Sequence, residues 1–450
     1  MRKFIKKRMV KNSVELNIRP LCLIYISVLL LFFSSMCCAK AAPPKLDNRF
    51  SPIAEQNQQQ LHELLVFTFD QKYAVYSRKR KDVNYTVPTG YEVYFLKREI
   101  QALVDMWKAT GDKGYLKKAL ERTRKAIHDG MNNRQPLWHG RKYIGSYPCY
   151  LNADVVDEKN PGHSKLYDIQ AAYAFMLVAS ELNKAGMDGW ESIADFVEVN
   201  LIEKWLYRDY EITKGSQLAQ EMIQSGEIVL KKMCSVRDQR EMFGSVCLYM
   251  HDINRKTYPY LKWAKLLCKI YLSERESLSV EIKEDVYLSE LYPKDWGVIN
   301  NHKTGGLLWY WSMKNTPPFL MDTSHANRTA WFACEAYEHG LITSEHLKRF
   351  VNTLKHQIWK KDKPGFYFAN MIDGTDPRIK SQGPGQRGNI WFGWHRLAAY
   401  DEELEDLFIS MAYDLTNGGP NIADGTLNKF QRMAPMCLMA WGARLISGRD

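Results

Sequence analysis

The chain has 450 residues, 45% hydrophobic and 12% aromatic, with a formal net charge of +11 and a pI near 9.0. That is enough apolar material for a large core, as two average domains or one longer closed repeat fold. Residues 1–41 hold eight Lys/Arg against one acid, Glu15, so they supply +7 of the charge and leave about +4 beyond them, too little to read as nucleic-acid binding.

The first 41 residues read as a secretory signal. Arg2, Lys3, Lys6, Lys7, Arg8, Lys11 and Arg19 form a basic start, either Met1 or Met9 serving as its first residue. An apolar run follows from Leu21 to Met36, then the cleavage pattern Ala39, Lys40, Ala41. The run is short for a spanning helix, and Met36 before Cys37 fits a lipoprotein signal poorly. The expectation is an exported protein, periplasmic, cell-surface or secreted, with residues 42–450 as a single domain and no stable membrane span after cleavage.

Beyond a Pro-containing lead-in, one unit recurs: a helix, a short turn with Gly or Asp, and a second amphipathic helix. A first helix covers Glu55 to Phe69. From Tyr94 to Asp129, Leu103, Val104, Met106 and Trp107 share a face, Gly111 and Asp112 break the helix, and Leu116, Ala119, Leu120 and Ile127 return at helical spacing. A second unit runs from Asp168 to Leu206 with its turn at Gly186. A third starts near Tyr258 and turns around Ser273. A fourth runs from Ser324 to Trp359, turning at Gly340 with Thr343 as N-cap. A fifth starts near Trp391 and turns at Tyr400 and Asp401. A last helix, about 428–445, pairs with the first. The pattern predicts an all-α fold of five to six hairpins, closed or incomplete as a ring. Cys149, Cys234, Cys247, Cys268, Cys334 and Cys437 remain after cleavage, widely spaced and without CxxC, and read as buried thiols. No zinc spacing and no other cofactor signature appears.

Long connections, Met131 to Tyr167, Asp285 to Thr323 and Lys361 to Asn389, are rich in Trp, Tyr, His, Gly and Asp. Loops of this length in a helical protein usually carry function. They bring Trp138, His139, Tyr147 and Asp168, then His302, Trp309, Asp322, His325 and Arg328, then Asp373, Trp391 and Trp394. His251 and Asp252 are read as a further loop of this set. Indoles stack on apolar sugar faces, while acids and bases act on hydroxyls and glycosidic oxygens. The sharpest signal is Asp322, Thr323, Ser324, His325. His325 begins a helix whose N-terminus lowers an imidazole pKa and would leave a neutral general base, with Arg328 on the same face to meet a carboxylate. The plainer reading makes Asp322 a helix cap, Asp168 a first-turn residue, and Trp391 and Trp394 core. The phosphate-loop, serine-hydrolase and HExxH zinc-protease patterns are absent from the sequence.

The turns WKATGDKGYLKKAL and YEHGLITSEHLKRF, and the stretch WYWSMKNTPPFLMDTSHANRTAWFACEAYEHG, resemble the six-hairpin α/α-toroid superfamily of glycoside hydrolases and polysaccharide lyases. The resemblance in plan spans about residues 50–446. It implies a site where loops enter the inner helices, acting on a polysaccharide or oligosaccharide, an acidic one included. It leaves the reaction open. A uronate-directed lyase would use Arg328 on the carboxylate and His325, His139 or Tyr147 on the adjacent proton. A glycoside hydrolase would pair Asp322 with Asp168. Asn300, Asn301 and His302 are also similar to a string in alginate-type lyases, without the residues that normally follow. A non-catalytic exported glycan-binding or scaffold protein is the third reading.

Overall fold

The computed structural model describes residues 55–85, 92–132, 134–136, 142–144, 165–207, 213–233, 237–275, 297–312, 319–363, 366–376, 388, 390, 393–416 and 434–448. All of them belong to one unit, Leu46–Asp450. The expected leader, together with Trp138, His139, Tyr147 and Trp391, lies outside the described residues.

Helices dominate. In chain order they are α1 (Glu55–Lys79), α2 (Glu92–Thr110), α3 (Lys113–Asn132), α4 (Lys165–Lys184), α5 (Trp190–Phe196), α6 (Gln217–Ser225), α7 (Arg237–Asp252), α8 (Tyr260–Tyr271), α9 (Thr323–Glu338), α10 (Ser344–Thr353), α11 (Glu402–Thr416) and α12 (Ala434–Ser447). Helix α5 continues through π turns at Val197–Glu203 into Lys204–Leu206, and α10 through π turns at Leu354–Ile358. Trp394–Tyr400 is a 3₁₀ helix. Short strands decorate the connections. Thus β1 (Arg134–Pro136) pairs with β2 (Lys142–Ile144), while β3 (Glu274–Arg275), β4 (Val298–Asn301) and β5 (Gly306–Leu308) form a three-stranded sheet. A last pair joins β6 (Tyr310–Ser312) to β7 (Phe319–Leu320).

Local chemistry places the turns. Gly111 (φ 74) and Gly340 (φ 66) supply the left-handed residues that end α2 and α9. Thr343 caps α10, its side chain accepting from the His346 amide at 3.2 Å. The third hairpin departs from the expectation. It is α7 and α8, turning at Asn254 (φ 59), so the helix read as its start, from near Tyr258, is its second arm. Arg237, Asp238, Gln239, Arg240 and Glu241 hid α7, because five polar residues in a row mimic a solvated loop. All five are buried. In consequence His251 and Asp252 end α7 instead of leading into it, and an Asp252 carboxylate oxygen lies 2.8 Å from His339 Nε2.

Packing orders the helices into two sets. In the first set α2 packs on α4, α4 on α7, α7 on α9, α9 on the 3₁₀ helix, that helix on α12, and α12 back on α2. The second set covers them: α3 lies on α2 and α4, α5 on α4, α8 on α7, α10 on α9, and α11 and α1 on α12. First-set helices are therefore buried almost all round. Helix α4 meets this with an apolar sequence, every residue from Tyr167 to Leu182 being buried. Helix α7 meets it by pairing its polar groups. Arg237 donates to Glu241 (2.8 Å), to Gly297 O (3.0 Å) and to Tyr271 O (2.6 Å), and Glu241 accepts from Thr329 (2.7 Å). Gly244 permits close approach of α7 to α9, since a Cβ there would lie 2.5 Å from the Phe332 ring. Cys247, Cys268, Cys334 and Cys437 are buried free thiols. Among the described residues no helix is long and apolar enough to cross a membrane.

Candidate active site

The segment before α9 is fixed at both edges. Thr323 donates its amide to Asn370 O (2.8 Å), Ile372 donates to Met321 O (3.3 Å), and Asp322 bridges to Met371. Asp322, extended at φ −75 and ψ 153, then caps the helix by accepting from the His325 amide at 3.0 Å. Its second oxygen lies 2.5 Å from His325 Nδ1. One carboxylate thus holds both the helix end and the imidazole, and the Nδ1 contact sets the ring orientation.

The protonation state differs from the expectation. Burial opposes charge on His325, but the Asp322 carboxylate outweighs it and the pKa is pushed up to about 9. A full charge in contact exceeds the half-charge of a helix terminus. His325 is therefore an imidazolium at neutral pH, an acid where the sequence suggested a base. Burial likewise raises Asp322, and the adjacent His325 overrides it and holds the carboxyl below its usual value.

One turn further, Arg328 donates to Asp238 on α7. The expected substrate-facing guanidinium is thus held by a protein carboxylate. Beside it lies a cavity of about 10 Å³, the room one water needs. Lys97, Gln101, Tyr173, Ser245, Arg328 and Trp331 line it, from α2, α4, α7 and α9. Gln101 Oε1 has no hydrogen-bond partner among the described residues. Lys97 is 3% exposed. Burial first, then the neighbouring Arg328 and Arg98, drive its pKa well below the ordinary lysine value, against the pull of Asp238. Asp238 thus acts on Lys97 and His325 and binds Arg328 directly.

The polar stripe continues down α9 at helical spacing: His325, Arg328, Trp331, Glu335, Glu338. Glu335 accepts from Tyr249, Trp331 and Arg396, and Arg396 also donates to Glu338 (2.6 Å) with its guanidinium 4.4 Å from the Trp331 ring centroid. Burial raises the Glu335 pKa despite Arg396.

Other expected site residues fall elsewhere. Asp168 is 0% exposed, paired with Lys204 and accepting from Trp205 Nε1 at 2.7 Å. It faces the α5 continuation and is sealed there with Lys204. Trp309 and Trp394 are fully buried and stack on each other at 5.9 Å, and Trp394 Nε1 donates to Thr323 O at 3.0 Å. They brace the α9 end and offer no face to a sugar. His302 is exposed in the turn between β4 and β5. Asp373 closes its own turn, accepting from the Thr375 amide (2.9 Å) and hydroxyl (2.7 Å).

Lys97 and Asp238 escaped the sequence reading. Their signal is a polar stripe inside apolar helices: Lys97, Gln101, Asp105 and Lys108 on α2, and Asp238, Ser245 and Tyr249 on α7. Among the described residues no group of three or more His, Cys, Asp or Glu side chains is placed to hold a metal ion. No family model matches the chain, and no curated protein matches it.

Proposed function

We propose that the chain is an exported carbohydrate-active enzyme, an α/α toroid of helical hairpins, that cleaves a uronate-containing polysaccharide or oligosaccharide by β-elimination. The observation that carries this reading is the Asp322–His325 dyad at the start of α9, one turn before Arg328. The toroid is supported by the first-set packing order, which runs from α2 through five further helices and returns to α2. Export is supported by the basic start, the apolar run and the Ala39-Lys40-Ala41 pattern.

The chemistry follows from the charges. β-Elimination next to a carboxylate needs cations to stabilise the enolate-like charge that develops, a base for the proton beside the carboxylate, and an acid for the leaving oxygen. Arg328, beside the N-terminus of α9, supplies positive potential. His325, charged and oriented through Nδ1, carries on Nε2 the proton for the leaving oxygen. The hydrolase alternative loses its second carboxylate to the Asp168–Lys204 pair. The non-catalytic alternative calls for aromatic rings on an exposed surface, and Trp309 and Trp394 are buried.

The test is a depolymerisation screen on acidic and neutral polysaccharides, following new reducing ends and the ultraviolet absorbance of an unsaturated uronide together. Both signals should rise on an acidic polymer and both should vanish in His325→Gln. Reducing ends without the absorbance would replace the lyase by a hydrolase. Binding without either signal would make the protein a glycan-binding module.

A further inference from the structure

We propose that the outer face of α8 is a binding groove for an acidic polysaccharide chain, a site distinct from the Asp322–His325 dyad. The inference rests on the acidic-polysaccharide reading above: the groove holds the polymer on which the dyad acts. Its cations are Lys256, in the turn that joins α7 to α8, and Lys262, Lys265 and Lys269 on α8 itself. No bond forms or breaks there.

The sequence of α8 sets the charge. The helix contains three lysines and no acid. Lys262, Lys265 and Lys269 recur at helical spacing and are exposed, as Lys256 is, while Trp263, Leu267 and Ile270 are buried on the opposite side. Lysines elsewhere on the protein meet a nearby acid: Lys125 pairs with Asp129, Lys184 with Glu181 and Lys355 with Asp401. Among the described residues none of the four lysines here makes an ion pair or a hydrogen bond. Their charges are available to an anion from outside.

The surface around them is concave. Lys265 and Lys269 line a hollow of about 580 Å³ against the turn between α9 and α10. Lys256, Lys262 and Lys265 line a second, of about 500 Å³, at the turn between α7 and α8. Lys265 borders both, so the two adjoin along the helix. Among the described residues Glu274 is the one carboxylate lining the first hollow, and His346 (2.8 Å) and Arg349 hold it; no carboxylate lines the second. Leu341 and Ile342, half-buried in the first wall, offer apolar contact to sugar rings. From Lys262 to Lys269 the helix rises about 10 Å. Cations spaced along that length suit an extended chain with repeating carboxylates. An anionic bilayer fits less well, because it is flat and the large exposed apolar side chains, Val75, Val199 and Leu218, all lie off α8. The Lys269 end of the groove lies near the start of α7, where Arg237 donates to Tyr271 O (2.6 Å) and Asp238 meets Arg328.

The experiment measures depletion of the full chain from solution by resins carrying polygalacturonate or alginate, with a dextran resin as the neutral control. It is run on wild type and on His325→Gln, so that cleavage does not consume the ligand. An acidic resin should retain both proteins, dextran neither, and retention should fade as salt rises. Lys256→Gln, Lys262→Gln, Lys265→Gln and Lys269→Gln should each weaken binding about fivefold, and the four together about a hundredfold or more. All four positions are exposed, so the unfolding midpoint should stay at the wild-type value. A control of equal charge, without Lys72, Lys79, Lys81 and Lys117 on or beside α1 and α3, should bind like wild type. Retention by neither acidic resin overturns the groove, as does undiminished binding in the fourfold variant. An equal loss in the control also overturns it, since net charge would then suffice, and so does capture by anionic phospholipid vesicles without retention by the polymers. Lysine-dependent binding in a wild type that yields no unsaturated product keeps the groove and overturns the β-elimination reading. Unsaturated product without lysine-dependent binding does the opposite.

Discussion

Asp168 and Asp322 both sit at the start of a helix in the same packing set, and both touch a cationic side chain. Asp168 faces a covering helix and is sealed with Lys204, both 0% exposed. Asp322 faces the turn of its own helix, where His325 keeps about a third of its surface in solvent. Burial of both partners makes the first pair a structural tie that no substrate reaches. Partial exposure of one partner leaves the second pair open to solvent, as the proposed proton donor requires. Residue type and position along the helix are nearly the same, and the neighbour across the interface separates the two roles.

The sharpest way to break this comparison is to remove one partner of each pair in turn. His325→Gln should lower turnover about a hundred- to ten-thousandfold while moving the unfolding midpoint little, checked by kinetics beside denaturant unfolding. A comparable fall in stability would make the dyad structural. Asp168→Ala should do the reverse. It leaves Lys204 buried without its carboxylate and should cost about 3–5 kcal/mol of unfolding free energy, with turnover per folded molecule preserved. Gly244→Ala should cost about 1–3 kcal/mol through the clash with Phe332, separating α7 from α9 and loosening the Arg328–Asp238 contact.

Smaller effects sharpen the picture. Asp322→Asn keeps a good cap and removes the charge. The His325 titration should drop from about 9 towards the ordinary histidine range, read by NMR of the imidazole, and the alkaline limb of activity should move with it. The dyad also contributes to stability in a defined window. His325 has a raised folded-state pKa, so its contribution is complete below the unfolded histidine range and is lost as pH climbs through about 9. Asp322 has a lowered one, so its contribution fades as pH falls through the carboxylate range. The stability difference between wild type and His325→Gln should therefore be largest between those limits.

Much of the local architecture was legible in the chain. Apolar spacing and Gly111 located α2 and α3, Gly340 and Thr343 located α9 and α10, and the Asp322–His325 motif was visible as a helix start. Helix α7 was not, because its first turns are polar and only neighbours distant in sequence reveal them as buried. The 3₁₀ helix was read as the start of an ordinary hairpin. Trp309 and Trp394 looked like sugar platforms, since an indole in a long loop carries no local mark of whether its face is covered.

What the sequence determined alone is most of the helices, α7 excepted, with several of their turns and caps, since propensity, periodicity and capping act over a few residues. Tertiary structure decided which polar groups are sealed as buried pairs and which stay open to solvent. Arg328 meets Asp238 across 90 residues of chain, and Lys97 comes from a third helix to line a cavity with Arg328. A carboxylate beside an imidazole, or a guanidinium beside an amine, changes which of them holds a proton. That outcome depends on contact and burial, which no local pattern encodes.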